Sequence, residues 1–451
     1  MLSKVKHMSY KVIGAKNKLE LVKESESDFI CKVEGARESY FFENRFTPCY
    51  PMQTFSWAAD FWMVEKQIVA GHQSFLISVH DENKTIWIQA LVYQYPWHFK
   101  EVFLTIPRGP ICSFNFHNSS PKIQDELLKR FQKSLEELIK STQACFVKIE
   151  PTWDGSQILD LVTGDTDHDI APLEYKLGLA VLEQFKNQKI KSKTKFLQPP
   201  YSRTIKIQVS HSLENETQQK GNRKEYLSNL STDTFFEIWF ESYFEAVITC
   251  FESKTRYNAR LAKKKNLEIV WDKSEAGFEE FWQIMQKTSD RQDFVPYSMD
   301  YYKNVLKNDW ADLVLVKTAT GQVTNAWMGS FTGGMGMYLY GGSDLAFSNL
   351  KGAELIHTAA IIRTLQKCGK MTQTEDGQQF ELIYDIGGSS LLDGALPAWD
   401  GYSKFKKGFG GKIVEYLPHS FDVIYKTWKY TWVSFLINTV KPLAKKLRRK
   451  S

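Results

Sequence analysis

One order of elements is written twice along this chain, and that repetition limits the fold more than any single motif does. In the first half, IWIQALVYQ and VFLTI read as strands, the second closed by the turn PRGP. PKIQDELLKRFQKSLEELIKS follows as a helix with Ile123, Leu127, Leu128, Phe131, Leu135, Leu138 and Ile139 on one face. ACFVKIEP is a third strand, stopped by Pro151. The second half repeats the order: TNAWMGSFTGG and MGMYLYGG as strands, GAELIHTAAIIRTLQKCGK as a helix, QFELIYDIGG as a strand. The offset is about 230–235 residues, with no residue-level identity between the halves. At 451 residues the chain is too long for one ordinary core. The expectation is an α/β protein of two units with similar plan, each a mixed sheet with flanking helices. The junction falls near KNQKIKSKTKFLQPP, after which RTIKIQVS opens the second unit as a strand.

Charge and cysteine usage exclude several classes. A net charge of +6 is mild for a protein that coats nucleic acid, so any anion site is local. Cys31, Cys49, Cys112, Cys145, Cys250 and Cys368 form no CxxC pair and no Cys/His cluster. That argues against structural zinc and a disulfide framework, predicts no metal, and fits a reducing compartment. No apolar leader or bilayer-length apolar run is seen, so the expected location is the cytoplasm. Aromatic residues make up 14% of the chain, enough for large cores and ring-lined clefts.

The local anion site suggests itself at KTRYNARLAKKKNLEIVW. Lys254, Arg256, Arg260, Lys263, Lys264 and Lys265 put six cations into twelve residues with no acid among them. The stretch extends the aromatic, amphipathic DTFFEIWFESYFEAVITCFES, whose C-terminal end favours positive charge. A solvated helix end and an anion site are both compatible with that pattern.

Seven short stretches, in order, resemble the motifs of one family: TIPRGPI, FVKIEP, KTRYNARLAKKKNLEI, TSDRQDF, YLYGGSD, YDIGGSS and FKKGFGG. It is the Fem (FemABX) family of non-ribosomal peptidyl transferases, which build peptidoglycan side branches. The likeness runs from MQTFSWA, near residue 50, to about residue 425. It implies two GNAT-like domains in tandem, residues 1–197 completed by 412–451, and residues 198–411. It also implies a reaction: an amino acid esterified to transfer RNA passes to an amine of a nucleotide-linked or lipid-linked peptidoglycan precursor. Aminoacyl-tRNA is then a co-substrate and no cofactor is expected. SNLKGAEL carries one glycine where acetyl-CoA enzymes have a Gly-rich pyrophosphate turn, which suits a relative that does not use CoA.

Aminolysis of an activated ester needs a positioned amine, a stabilised oxyanion and a place for a proton. The resemblance points to Lys406, directly after Phe405 in FKKGFGG, for the oxyanion, with Lys407 as the alternative one residue along. Gly408, Gly410 and Gly411 would let the backbone approach a substrate. Tyr338 and Tyr340 alternate along MYLYGG, which puts both on one strand face, toward the stem peptide or the reacting ester. Ser289 and Arg291 resemble residues that bind the precursor's diphosphate, for which a guanidinium fork is suited. An ion pair of Arg291 with Asp290 or Asp293 is the plain alternative. Lys254 and Arg256 would join that phosphate site, and Lys263, Lys264 and Lys265 would meet transfer RNA. Glu150, ending FVKIEP, is the nominated proton acceptor or amine-orienting group, with Asp385 as its rival; both also read as strand-end carboxylates in water.

Departures from the family pattern are visible. No lysine follows closely after Trp57, Lys66 being several residues late, and residues 211–240 look like an insertion. ADLVLVKTATGQVTNAWMG is a plain hairpin where the longest relatives carry a coiled-coil arm. The C-terminal WKYTWVSFLINTVKPLAKKLRRKS mixes aromatics with seven cations. It reads either as a peripheral contact with the inner face of the plasma membrane or as a packed helix with a basic tail. The chain is expected to act as a monomer. The alternatives are an acyl-CoA-dependent N-acyltransferase of the same double-GNAT build and a non-catalytic RNA-binding protein.

Overall fold

The computed structural model describes residues 21–23, 29–35, 73–81, 86–97, 100–107, 109–112, 116, 119–150, 170–172, 181–192, 201–210, 232–292, 294–332, 335–374, 377–389, 400–415 and 420–436. Its first half comprises β1 (Leu21–Lys23), β2 (Phe29–Gly35), β3 (Gln73–Asp81), β4 (Ile86–Pro96), β5 (Val102–Pro107) and β6 (Ile111–Cys112), then α1 (Pro121–Thr142) and β7 (Phe146–Glu150). β8 (Ile170–Pro172) and β9 (Lys189–Ser192) lead to β10 (Tyr201–Ser210), α2 (Thr232–Ile248) and α3 (Ser253–Lys264). Next come β11 (Glu268–Trp271), α4 (Glu275–Gln292), α5 (Met299–Leu306), β12 (Ala311–Lys317), β13 (Val323–Thr332) and β14 (Met335–Ser343). The chain closes with α6 (Gly352–Cys368), β15 (Lys370–Thr374), β16 (Gly377–Gly388), α7 (Asp400–Lys407), β17 (Lys412–Glu415), β18 (Phe421–Ile424) and α8 (Thr427–Phe435).

These strands pair into two sheets whose central orders match. The first runs β1-β2-β3-β4-β5-β7-β18-β9, the second β11-β12-β13-β14-β16-β10-β17-β8. In each, one central pair is parallel, β5 with β7 and β14 with β16. Parallel neighbours need a long crossover, and α1 and α6 supply it. The repeat read from the sequence is therefore a repeat of sheet topology, and the fold class is mixed α/β. β18 returns to the first sheet, between β7 and β9. β17 pairs with β10, so Lys412–Glu415 belongs to the second sheet rather than to the first unit, where the boundary at 412 put it. β8, from the first unit's range, likewise lies on the edge of the second sheet. Part of the expected linker, Lys189–Ser192, is the edge strand β9.

Packing follows the apolar faces. α1 starts at Pro121 and ends at Gln143, whose left-handed φ of 57° closes the last turn. It buries Leu127, Leu128, Phe131, Leu135, Leu138 and Ile139 on the first sheet, each worth about 1.5–3 kcal/mol. Ile123, expected on that face, is exposed. One face of the second sheet is covered by α2, α3 and α6; α6 is buried nearly all round, as its apolar sequence requires. The other face meets α4 and α5, and Leu91 and Tyr93 of β4 join that cluster, so the two units share a core.

Candidate active site

The parallel pair of the second sheet parts early. β14 and β16 are paired only at Gly336 with Tyr384 and Met337 with Asp385. Beyond that point β14 continues along β13 to Ser343, while β16 runs along β10 to Gly388. Lys406, in the last turn of α7, reaches the parting point. Its Nζ donates to the Gly388 carbonyl at 2.7 Å and lies over the rings of Tyr402 and Tyr338, 4.9 and 5.7 Å from their centroids. Gly387 holds φ +85, and a Cβ there would come within 3.5 Å of both Lys406 Nζ and the Tyr338 ring. Lys406 is 7% exposed, whereas Lys407 is half-buried and lies outside this contact.

Burial sets the charge state of this amine. Removal from water pushes the Lys406 ammonium down to about 7; Asp385 nearby opposes the fall and Arg203 adds to it. Asp385 is fully buried, its Oδ1 accepting from the Gly387 amide at 2.7 Å. It is not a strand-end carboxylate in water, and neither is Glu150, only 3% exposed at the end of β7 in the first sheet.

Behind Lys406 lies a buried polar chain that the motifs did not reveal. Trp327 Nε1 donates to the Tyr384 hydroxyl at 3.0 Å, and His357 Nδ1 lies 3.1 Å from the same oxygen. The His357 ring meets Tyr338, Phe405 and Phe409, 5.3, 5.9 and 5.1 Å between centroids. Burial, with Lys406 nearby, lowers the His357 pKa to about 3, so the imidazole is neutral. His357 sits inside the apolar run LIHTAAII, where periodicity reads it as core; only its being a histidine there was a signal.

Tyr338 and Tyr340 do not share a face. The pairing steps from Gly329 with Tyr338 to Met328 with Tyr340, leaving Leu339 as an extra residue in β14. This bulge turns Tyr340 to the opposite side of the sheet. Tyr338 packs with the Lys406 side, whereas the Tyr340 hydroxyl lies 2.8 Å from that of Tyr301, amid Tyr297 and Tyr302. The alternation rule fails here because one residue is inserted.

The two motifs with the strongest resemblance, KTRYN and FKKGFGG, pack on each other. The Gly408 carbonyl accepts from the Glu252 amide at 2.8 Å, and a Cβ on Gly408 would sit 2.1 Å from Thr255 Oγ1. Gly410 and Gly411 take φ of +79 and +70 and abut the carbonyls of Cys250 and Thr204. These glycines admit the protein's own backbone, not a substrate as the sequence suggested. Arg256 donates to the carbonyls of Thr249 and Phe251 at 3.2 and 2.9 Å, closing the end of α2. Asn258 ties α3 to Glu354 of α6 at 2.8 Å.

Two of the six cations in the run, Arg260 and Lys263, are neutralised from outside its own sequence. α3 is a separate helix, not an extension of α2, and it lies alongside it. Arg260 pairs with Glu245 and Lys263 with Glu241, both at 2.7 Å, and the Arg260 guanidinium holds Glu245 below the usual carboxylate range. Lys265 donates to the Asn349 carbonyl at 2.7 Å. Lys254 and Lys264 remain exposed, without an ion pair to another described residue. Lys254 sits in the first turn of α3, where the helix dipole disfavours a cation, so helix-end comfort does not explain it.

At the far end of β14, Arg291 Nη1 donates to the Ser343 carbonyl at 2.8 Å rather than pairing with Asp290; Asp293 lies outside the described residues. Ser289 is buried and its hydroxyl donates to Gln286 O within α4 at 2.9 Å, so a direct diphosphate contact would need that bond to break. Lys287 pairs with Asp344 at 2.6 Å beside Arg291. The MQTFSWA stretch, Trp57 and Lys66 lie outside the described residues. Among the described residues no cluster of His, Cys, Asp or Glu could hold a metal, and no helix is long and apolar enough to cross a membrane.

A family model described as the FemAB family matches residues 45–164 and 217–325, together just over half of the chain. No curated protein is matched by the sequence. Among solved structures, the crystal structure of FemX aligns with a TM-score of 0.60 at 15% identity, over 86% of this chain and 96% of that one. L-PGS from Bacillus licheniformis aligns with a TM-score of 0.41 at 8% identity, over 81% and 87% of the two chains. Saccharomyces cerevisiae N-myristoyltransferase with bound myristoyl-CoA aligns at 0.33 and 9%, over 87% and 72%. YLYGGSD, YDIGGSS and FKKGFGG lie beyond the residues that the family model matches. The chain belongs to the FemAB family, a transferase built as two GNAT-like units in tandem.

Proposed function

We propose that this protein moves an aminoacyl group from transfer RNA to an amine of a peptidoglycan precursor's stem peptide. Family membership supports the reaction class, and the observation that carries the reading is the placement of Lys406 where β14 and β16 part. In the transfer the amine attacks the ester carbonyl, a tetrahedral oxyanion forms, the terminal ribose hydroxyl leaves, and an amide remains. Lys406 in its ammonium form stabilises the oxyanion. Burial lowers the pKa of this amine to about 7, and an incoming negative charge favours the ammonium form. Tyr338 and Tyr402 shield the ammonium from water, and the Gly388 carbonyl orients it. Asp385, whose charge favours the ammonium, shares its surroundings; Glu150 sits in the other sheet. Aminoacyl-tRNA serves as co-substrate, no cofactor is required, and the reaction belongs in the cytoplasm. Arg291, exposed beside the end of β14, and Lys254 would meet the precursor's phosphates, and Lys264 would meet transfer RNA.

The test is transfer of labelled amino acid from a mixed aminoacyl-tRNA pool to nucleotide-linked and lipid-linked precursors, by wild type and by Lys406→Met. Label should reach one acceptor and stop in the variant. No transfer to either acceptor, with every amino acid supplied and the protein folded, would overturn the reading in favour of an acyl-CoA donor.

A further inference from the structure

Nine large apolar side chains stand exposed among the described residues, and three of them fall on the nine-residue helix α8. They are Trp428, Trp432 and Phe435, at 71, 55 and 51%. Steps of four and three place them along one side of a helix. The opposite side is fixed to the first sheet. Tyr430 and Val433 are buried, the Tyr430 ring lies edge-on to Phe146 at 5.0 Å, and its hydroxyl donates to Asp422 Oδ2 at 2.6 Å. Asp422 in turn holds Lys148 in a buried ion pair of 2.6 Å, and Lys426 and Lys429 both reach Glu101. Rolling α8 to hide its aromatics would break the contacts of Tyr430 and Lys429.

We propose that this face of α8 docks on the surface of an anionic phospholipid bilayer. Indole and phenyl rings held outward on a rigid helix suit the headgroup boundary, where an apolar body and a polar edge are both accommodated. Charge in the following sequence fits the same partner. INTVKPLAKKLRRKS supplies Lys441, Lys445, Lys446, Arg448, Arg449 and Lys450 without one acid, which favours an anionic leaflet. The apolar spacing also runs on, from Trp428 and Trp432 through Leu436, Val440, Leu443 and Leu447 in steps of three and four. An RNA partner fits the ordered face less well, because it would need cations there. The three outward side chains are uncharged, and Lys429 is already tied to Glu101.

The inference rests on α8 and the sequence after it, and it stands whether or not the transfer reaction is correct. Its test is co-sedimentation of the full chain with vesicles of phosphatidylcholine and phosphatidylglycerol (7:3), against phosphatidylcholine alone, in moderate salt. Wild type should sediment with the mixed vesicles at least tenfold more strongly than with the neutral ones. The double variant Trp428→Ser/Trp432→Ser, altered only at exposed positions, should lose at least tenfold of that binding while keeping the wild-type melting temperature. Tryptophan emission of the wild type should shift to the blue on binding. Binding left intact in the double variant would overturn the assignment to α8. So would an absence of binding to either vesicle, or loss of vesicle binding to competing transfer RNA at equimolar lipid phosphate.

Discussion

A Cβ placed on Gly408 would lie 2.1 Å from Thr255 Oγ1, so the helix that presents Lys406 ends against the helix that carries the basic run. Gly408→Ala should therefore destabilise the protein by about 1–3 kcal/mol through overpacking. Thr255→Ala removes the clashing oxygen, and the double variant should recover most of the loss. Urea midpoints of the four proteins check this; equal midpoints for Gly408→Ala and wild type would mean that the junction yields freely.

Lys406→Met should lower transfer about 10²–10³-fold, the scale of losing one oxyanion donor. It should also change how stability depends on pH. The pKa of Lys406 is about 7 when folded and 10.5 in the ordinary state, so the unfolded chain binds more protons between those values. Stability from this group is full above about 10.5 and is lost as pH falls toward 7. Lys406→Met should thus be more stable than wild type at pH 7, with the gap closing by pH 10. A gap that widens with pH would show that the amine is not desolvated.

His357 should stay neutral far below the usual imidazole range. With a folded pKa of about 3 against 6.5, its contribution is full above 6.5 and falls away as pH drops toward 3. The proton resonances of its ring should not move between pH 8 and 4.5. His357→Gln, which can still bond the Tyr384 hydroxyl, should lose less stability than wild type across that interval. A midpoint near 6 for His357 would place it in water.

Glu241→Gln with Glu245→Gln should free Lys263 and Arg260. Both ion pairs are half-exposed, so the cost to stability should be within about 1 kcal/mol. If α3 faces transfer RNA, affinity should rise severalfold, and the slope of log K against log salt should steepen by up to about 2. Unchanged affinity and slope would remove α3 from the RNA-binding surface.

What the sequence made legible was what recurs. The strand–strand–helix–strand order appears twice with long, strongly patterned elements, and both copies form with one parallel pair each. Lys406 came to notice through the resemblance of FKKGFGG to the Fem family's motif, not through the repeat, which ends at β16. The inserted Leu339 was not legible, since a bulge leaves no mark on alternation over six residues, and it separated Tyr338 from Tyr340. Nor was the neutralisation of Arg260 and Lys263, whose acids lie 15 and 22 residues upstream on another helix. Strands of three and four residues, such as β8 and β17, are too short to carry a period, so their membership in the second sheet was invisible.

The late arrival of β18 has a consequence for synthesis. Lys148 and its buried partner Asp422 are separated by 274 residues, and β9 has no neighbour in its sheet other than β18 among the described strands. On a ribosome the chain emerges in order, so the first sheet waits, one inner strand short, while the second is made and assembled. The unit encoded first is the unit completed last. Its open β7 edge must be kept from other chains throughout that interval, and a nascent chain stalled before residue 421 would expose it.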